Sequence, residues 1–383
     1  MTLAEMTSAS TSPAVGSETG GTLVIDLEAI EANWRTLASL ALPAQCAAVV
    51  KADAYGMGLE PVASRLAAAG CHTFFVADIA EARRLRARMN DATIYVLNGI
   101  MAEGAAPFAE VNARPVINSM TELAEWDAFV AAQKWQGGAA LHVDTGMNRL
   151  GITAEEAAAL APRVKIENHG VALLISHLAC AELTDHPLNA GQIRLFRDLR
   201  MLYAGVPASL ANSSGVFLGS AAHFDLARPG AALYGINPTP SRPNPLRSVL
   251  ELTGRILQVR TVDQGETVGY DAAWTAKRPS RLAVVALGYA DGLLRSASAT
   301  DRVRGGGAAI IAGKRCPFAG RVSMDLVCID VTDLPQGSVR RGDSATLIGE
   351  RIPIDEVAAS AGTIGYEILT GIGRRCHRIY RGA

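Results

Sequence analysis

At 383 residues the chain is longer than one hydrophobic core usually supports, so two domains are expected. Lys+Arg total 36 against 37 Asp+Glu, a formal net charge of −1, which excludes the basic surface of a nucleic-acid binder or of a protein held on an anionic membrane. Hydrophobic residues make up 49%, yet no apolar run reaches the roughly 18–20 residues of a bilayer span, and the composition is that of a globular protein.

Residues 1–21, MTLAEMTSASTSPAVGSETGG, are rich in Ser, Thr and Gly and read as a disordered tail. They show neither the basic leader nor the apolar stretch of a secretory signal. From Thr22 onward the sequence alternates. TLVID (22–26), CAAVVKA (46–52), TFFVA (73–77), TIYVLN (93–98), RPVIN (114–118), ALHVD (140–144), VALLISH (171–177) and SLAN (209–212) read as short strands. Stretches with helical spacing lie between most of them: Leu59, Val62, Ala63, Leu66 and Ala69 form one stripe, and Ile193, Phe196, Leu199, Arg200 and Tyr203 another. Continuous apolar strands suit a parallel sheet covered on both faces. About eight such units over roughly 220 residues fit a TIM (β/α)8 barrel, expected over 22–240. A doubly wound sheet is the competing fold, but the first strand is not followed by GxGxxG.

The proline-rich joint NPTPSRPNPLR (237–247) changes the texture. Beyond it LELTGRILQVR, RLAVVALGYADG, GAAIIAGKRC, RVSMDLVCIDV and DSATLIG read as strands broken by Gly, Asp and Pro turns. A mostly-β domain is therefore expected over 241–383, with one helix from Ile354 to Ala361. The six cysteines, Cys46, Cys71, Cys180, Cys316, Cys328 and Cys376, lack the spacing of a zinc site or a disulfide framework. They read as core fillers of a cytoplasmic protein, with no metal expected.

Lysine occurs only at positions 51, 134, 165, 277 and 314, and Lys51 ends an apolar strand in AAVVKADAYGMG. A solvent-facing strand end is the ordinary explanation. A phosphate-binding lysine is the second explanation, but no GxxxxGK[ST] occurs, which excludes a P-loop. A third explanation is an imine-forming lysine, partly desolvated at the C-terminal mouth of a barrel.

VVKADAYGMG, DTGMNRLG (144–151), ISHLA (175–179), ANSSG (211–215), ARPGAALYG (227–235), VGYDAAW (268–274), GYADG (288–292), GRVSMD (320–325) and TIGYE (363–367) resemble, in order, the signatures of the alanine racemase family. The resemblance spans nearly the whole chain after the tail and implies a pyridoxal 5′-phosphate (PLP) enzyme with a barrel and a C-terminal β domain. It implies that Lys51 carries PLP and that Lys51 and Tyr270 are the two bases, Lys51 for the D-enantiomer's proton and Tyr270 for the L-enantiomer's. His177 and Arg149 would lower the tyrosine's pKa, which is otherwise about 10. Arg228 would face the pyridine nitrogen and leave it largely unprotonated, which favours reprotonation over transamination. Tyr55, Ser213, Gly230, Ala231 and Tyr366 would hold the phosphate. Arg149 and the Met324 N–H would bind the substrate carboxylate, and Tyr289 with Tyr366 would narrow the entrance. The resemblance further implies a head-to-tail homodimer whose β domains complete each other's sites, with D-alanine feeding bacterial peptidoglycan.

Two features depart from the family pattern. Many members carry a carbamylated lysine two positions before the Asp of DTGM; here His142 stands there, and carbamylation at that site is excluded. The ending GRRCHRIY lacks an expected proline. Amino-acid decarboxylases of similar architecture carry an HxGS block and an acidic pyridine partner, neither of which is found. A racemase of broader specificity is the nearer alternative, and a non-catalytic metabolite-binding barrel would carry no chromophore.

Overall fold

The structure is a computed structural model that describes residues 18–102, 104–164, 170–302 and 305–382. Most of the expected N-terminal tail thus lies outside the described residues. The chain forms two compact units: one joins the residues up to Ile25 with Leu250–Ile379, and the other comprises Asp26–Val249 with the residues from Tyr380.

The first strand, β1 (Gly21–Asp26), corrects the expectation that TLVID belongs to the barrel. It pairs antiparallel with the long strand Leu250–Val262, Leu23 opposite Leu252. Its side chains alternate between buried and half-buried, the signature of a strand covered on one face, and a short apolar run alone does not distinguish this from a barrel strand.

In the second unit, β2 (Gln45–Cys46) and β3 (Ala48–Val49) form one nearly continuous edge. β4 (Thr73–Val76), β5 (Thr93–Val96), β6 (Arg114–Ile117), β7 (Ala139–His142), β8 (Val171–Ile175) and β9 (Ala208–Ser209) follow β3 in sequential parallel pairing. The ring closes through β10 (Leu226–Ala227), which pairs parallel with β2. On its other side Asp225 N donates to Ala208 O (2.9 Å) and Arg228 N to Ala211 O (2.8 Å). Among the described residues this makes eight parallel segments, a closed TIM barrel. The eighth strand is the two-residue segment Leu226–Ala227 at the start of ARPGAALYG, too short to show any apolar periodicity.

Both predicted helical stripes form. Helix Leu59–Ala68 buries Leu59, Val62, Ala63 and Leu66, and helix Pro187–Leu202 buries Phe196 and Leu199. Helix starts are fixed by side-chain caps: Asp78 accepts from Glu81 N, Ser119 from Glu122 N, and Thr153 forms a capping box with Glu156. None of the described helices is long and apolar enough to cross a membrane.

The first unit is a mostly antiparallel assembly around Leu250–Val262, which also pairs with Ser280–Val285 and Ser344–Ile348. The hairpin Ala308–Ile311 to Lys314–Pro317 turns through Ala312 and Gly313, both at positive φ (46° and 75°), as a tight two-residue hairpin requires. The expected helix appears as Ile354–Ser360. A second helix, Gly365–Gly371, was not anticipated: the seven residues of GYEILTG are too few to show a period, and the segment carries Tyr366.

Candidate active site

Lys51 emerges from β3 at the C-terminal ends of the barrel strands, half-buried, and burial lowers its pKa. The Arg149 charge lowers it further, and Glu81 partly opposes this. The backbone after it is unusual. Ala52, Asp53, Ala54 and Tyr55 all have φ near +55°, one left-handed turn without glycine. Each such residue costs about 1–2 kcal/mol, so the surroundings must hold the turn in place. Glu81 accepts from Asp53 N (3.0 Å) and Ala77 N (2.9 Å). The Asp53 carboxylate accepts from Leu59 N (3.1 Å) and pairs with Arg84 (2.6 Å), which also bonds Glu60. The turn brings the Tyr55 ring inward, where it stacks on Tyr234 with centroids 4.7 Å apart.

Tyr55, Ser213 and Gly230 are brought together. Ser213 Oγ accepts from Gly230 N (3.0 Å) and Ala232 N (3.1 Å), which fixes the hydroxyl against the start of the short helix Ala231–Tyr234. A Cβ on Gly230 would lie 2.5 Å from the Tyr55 hydroxyl and 3.3 Å from Val49 Cβ. The absence of a side chain there keeps the cradle open. On the role the resemblance implies for Gly230, Gly230→Ala is expected to cut PLP affinity at least tenfold, and the clash is expected to destabilise the protein by about 1–3 kcal/mol, as overpacking does. Equilibrium dialysis and denaturant unfolding check this; unchanged affinity would remove Gly230 from the cofactor site.

Arg228 is 5% exposed and follows β10 directly. Its guanidinium donates to Ser209 Oγ and to Ser176 O (2.6 Å), and it lies over the Phe75 ring at 5.7 Å. No carboxylate is among its partners in the described residues. Burial lowers its pKa to about 10, which leaves it protonated at neutral pH.

His142 and His177 lie at the ends of β7 and β8. Burial, reinforced by the Arg228 and Arg149 charges, pushes His177 down to about 3. Burial and Arg228 push His142 down to about 4. Both rings are neutral at neutral pH. Arg149 is exposed in a loop whose shape is set by the Asp144 carboxylate, which accepts from the N–H groups of Gly146, Met147 and Asn148 at 2.8, 2.8 and 2.9 Å. Sequence reasoning missed Asn118, Glu81, Ser176 and Ser209. Asn118, Ser176 and Ser209 are ordinary residues whose only distinguishing signal is their position at the end of a barrel strand, and Glu81 lies in the first turn of helix Ile79–Arg86.

The remaining predicted residues belong to the first unit. Tyr270, 67% exposed, opens a tight turn in which Gly269, Asp271 and Ala272 all have positive φ, and Asp271 pairs with Arg321 at 2.6 Å. Tyr289 N donates to Ser323 O (3.0 Å) and Ala290 N to Met324 O (3.0 Å). Thus VGYDAAW, GRVSMD and GYADG are neighbours, with Tyr289 (43%) and Met324 (53%) also exposed. Buried Asp291 receives Arg375 at 2.9 and 3.0 Å, and Arg375 also reaches Asp325 at 2.8 Å, so the divergent C-terminal ending braces the Met324 loop. Tyr366 is half-buried on helix Gly365–Gly371.

A cavity of about 950 Å³ opens at the other end of the barrel, against strand starts such as Gln45, Thr73 and Thr93. None of the predicted site residues lines it, and barrel chemistry belongs at the opposite face. No group of three or more potential metal ligands occurs among the described residues.

Family models described as alanine racemase, N-terminal domain, and alanine racemase, C-terminal domain, match residues 25–238 and 249–380. A protein from Methylobacterium sp. (strain 4-46) named alanine racemase is 51% identical over 361 residues, covering 94% of this chain and 98% of its own. Another of that name, from Rhizobium meliloti (strain 1021), is 46% identical, covering 94% and 96%. Among solved structures, alanine racemase from Bartonella henselae with covalently bound pyridoxal phosphate superposes with a TM-score of 0.89 at 38% identity, covering 94% of this chain and 99% of that one.

Proposed function

The chain belongs to the alanine racemase family, and on that premise we propose that its barrel mouth binds PLP on Lys51 and interconverts L- and D-alanine with Lys51 and Tyr270 as the two bases. The observation that carries the reading is that the barrel unit holds both a half-buried strand-end lysine and a buried arginine with no carboxylate partner among the described residues. A decarboxylase or transaminase needs an acid in that arginine's place, to protonate the ring nitrogen and prolong the carbanion's life.

The residues fit the cofactor. Gly230, Ser213 and Tyr55 converge where a side chain at 230 would meet the Tyr55 hydroxyl, and they would hold its phosphate together with the Ala231 N–H and the Tyr366 hydroxyl. Bound there, PLP withdraws electrons from an amino acid's Cα and makes that C–H acidic. Lys51, its pKa lowered by burial, takes or returns a proton on one face of Cα. The Tyr270 hydroxyl serves the other face, supported by the neutral His177 ring and the Arg149 charge. Arg228 stays protonated and donates a hydrogen bond without passing its proton on. Arg149 and the Met324 N–H bind the carboxylate of alanine, and Tyr289 and Tyr366 limit the entrance.

The exposure of Tyr270, Tyr289, Met324 and Ile364 supports a head-to-tail homodimer in which residues 241–383 of a second copy cover the barrel mouth. In the cytoplasm such an enzyme would supply D-alanine for peptidoglycan. A racemisation assay on alanine, serine and lysine, read by chiral chromatography, tests the substrate. Alanine is expected to exceed serine about tenfold and lysine about a hundredfold in kcat/KM; equal turnover of lysine would overturn the alanine assignment.

A further inference from the structure

Asn118, at the end of β6 and 4% exposed, uses every hydrogen-bonding group it has. Its Nδ2 donates to Leu97 O (3.2 Å) and Val116 O (2.8 Å), which fixes the amide's orientation and leaves Oδ1 against His142 Nδ1 at 2.7 Å. Its N–H donates to Glu122 (3.2 Å), and its carbonyl accepts from Gly151 N (3.1 Å). An amide oxygen only accepts, so His142 Nδ1 carries the ring's proton and Nε2 keeps a free lone pair.

The same residue therefore touches both the imidazole and the end of the loop that carries Arg149. That loop is clamped at its start as well: Asp144 N donates to Ile152 O (2.8 Å) and Ile152 N to His142 O (2.9 Å). Gly151 has φ +113°, and a Cβ there would lie 2.7 Å from Asp144 N, so the chain returns by only one route. The charges acting on His142 are Arg228, Arg149 and Asp144, and the Asp144 oxygens are already taken by three loop N–H groups. A neutral acceptor facing the guanidinium would restrain it without neutralising the charge a substrate carboxylate needs.

We propose that Asn118 and His142 are a positioning pair for Arg149. Asn118 locks the imidazole as the Nδ1–H tautomer, so that Nε2 accepts from the Arg149 guanidinium, and its carbonyl holds the end of the Arg149 loop. The proposal rests on the reading that Arg149 binds the substrate carboxylate, and the test separates the two. Long-range ¹H–¹⁵N NMR of the unmodified holoenzyme is expected to show His142 protonated at Nδ1; protonation at Nε2 overturns the proposal whatever the variants do. Propionate, a carboxylate without the reacting amine, is then titrated calorimetrically. His142→Leu is expected to weaken propionate about tenfold and to raise KM for alanine similarly with kcat within about threefold, whereas His142→Gln, which keeps a neutral acceptor, restores both. If Arg149→Ala weakens propionate while His142→Leu does not, the positioning role is wrong and the carboxylate reading stands. If Arg149→Ala leaves propionate binding unchanged, the carboxylate reading itself fails.

Discussion

Lys51→Ala is expected to lower racemisation by about 10⁴-fold or more, because in the proposed mechanism one substitution removes both the covalent anchor of PLP and a base; a positioned base alone contributes about 10²–10⁴-fold. The side chain ends a barrel strand and is only half-buried, so the fold should survive its truncation. Mass analysis after borohydride reduction provides the check. The unmodified protein should carry the coenzyme on the peptide containing Lys51, and the variant should carry none. Coenzyme found on Lys134, Lys277 or another lysine would remove the basis of the mechanism while leaving the barrel assignment untouched.

Tyr270→Phe deletes one oxygen from a ring that is 67% exposed in the single chain, so its stability should change by no more than about 0.5 kcal/mol. PLP should remain bound. Racemisation should fall by about 10²–10⁴-fold, and equally in both directions, since L- and D-alanine have the same free energy in water and no catalyst alters their ratio. The discriminating measurement is deuterium exchange in heavy water. With Lys51 intact, D-alanine should still exchange its Cα hydrogen while L-alanine keeps its own. Equal exchange of both enantiomers in the variant would show that Tyr270 is not the base for the L-enantiomer, and loss of the coenzyme would mean that it serves binding instead.

The barrel strands and helices were legible because burial on two faces requires continuous apolar runs, and burial on one face of a helix requires a stripe. TFFVA, TIYVLN and VALLISH became β4, β5 and β8, and both stripes became helices. TLVID was misplaced because three apolar residues pack equally well in a barrel or on a half-covered antiparallel sheet. Its partner, Leu250–Val262, lies more than 200 residues away. The eighth strand was missed because two residues carry no period.

The site divides along the same line. Its residue types were fixed in the sequence, since Lys51, Arg228 and Gly230 lie in short contiguous blocks whose order and composition are themselves the signal. What only the tertiary structure decided was how those side chains are held. The left-handed turn after Lys51 depends on Glu81, 28 residues from the Asp53 N–H it accepts. Arg228 is held by Ser176 and Ser209, and His142 by Asn118 across 24 residues. Contacts of that kind are made by closing a ring of strands. Their partners share an end of the barrel rather than a stretch of chain, so no local pattern announces them.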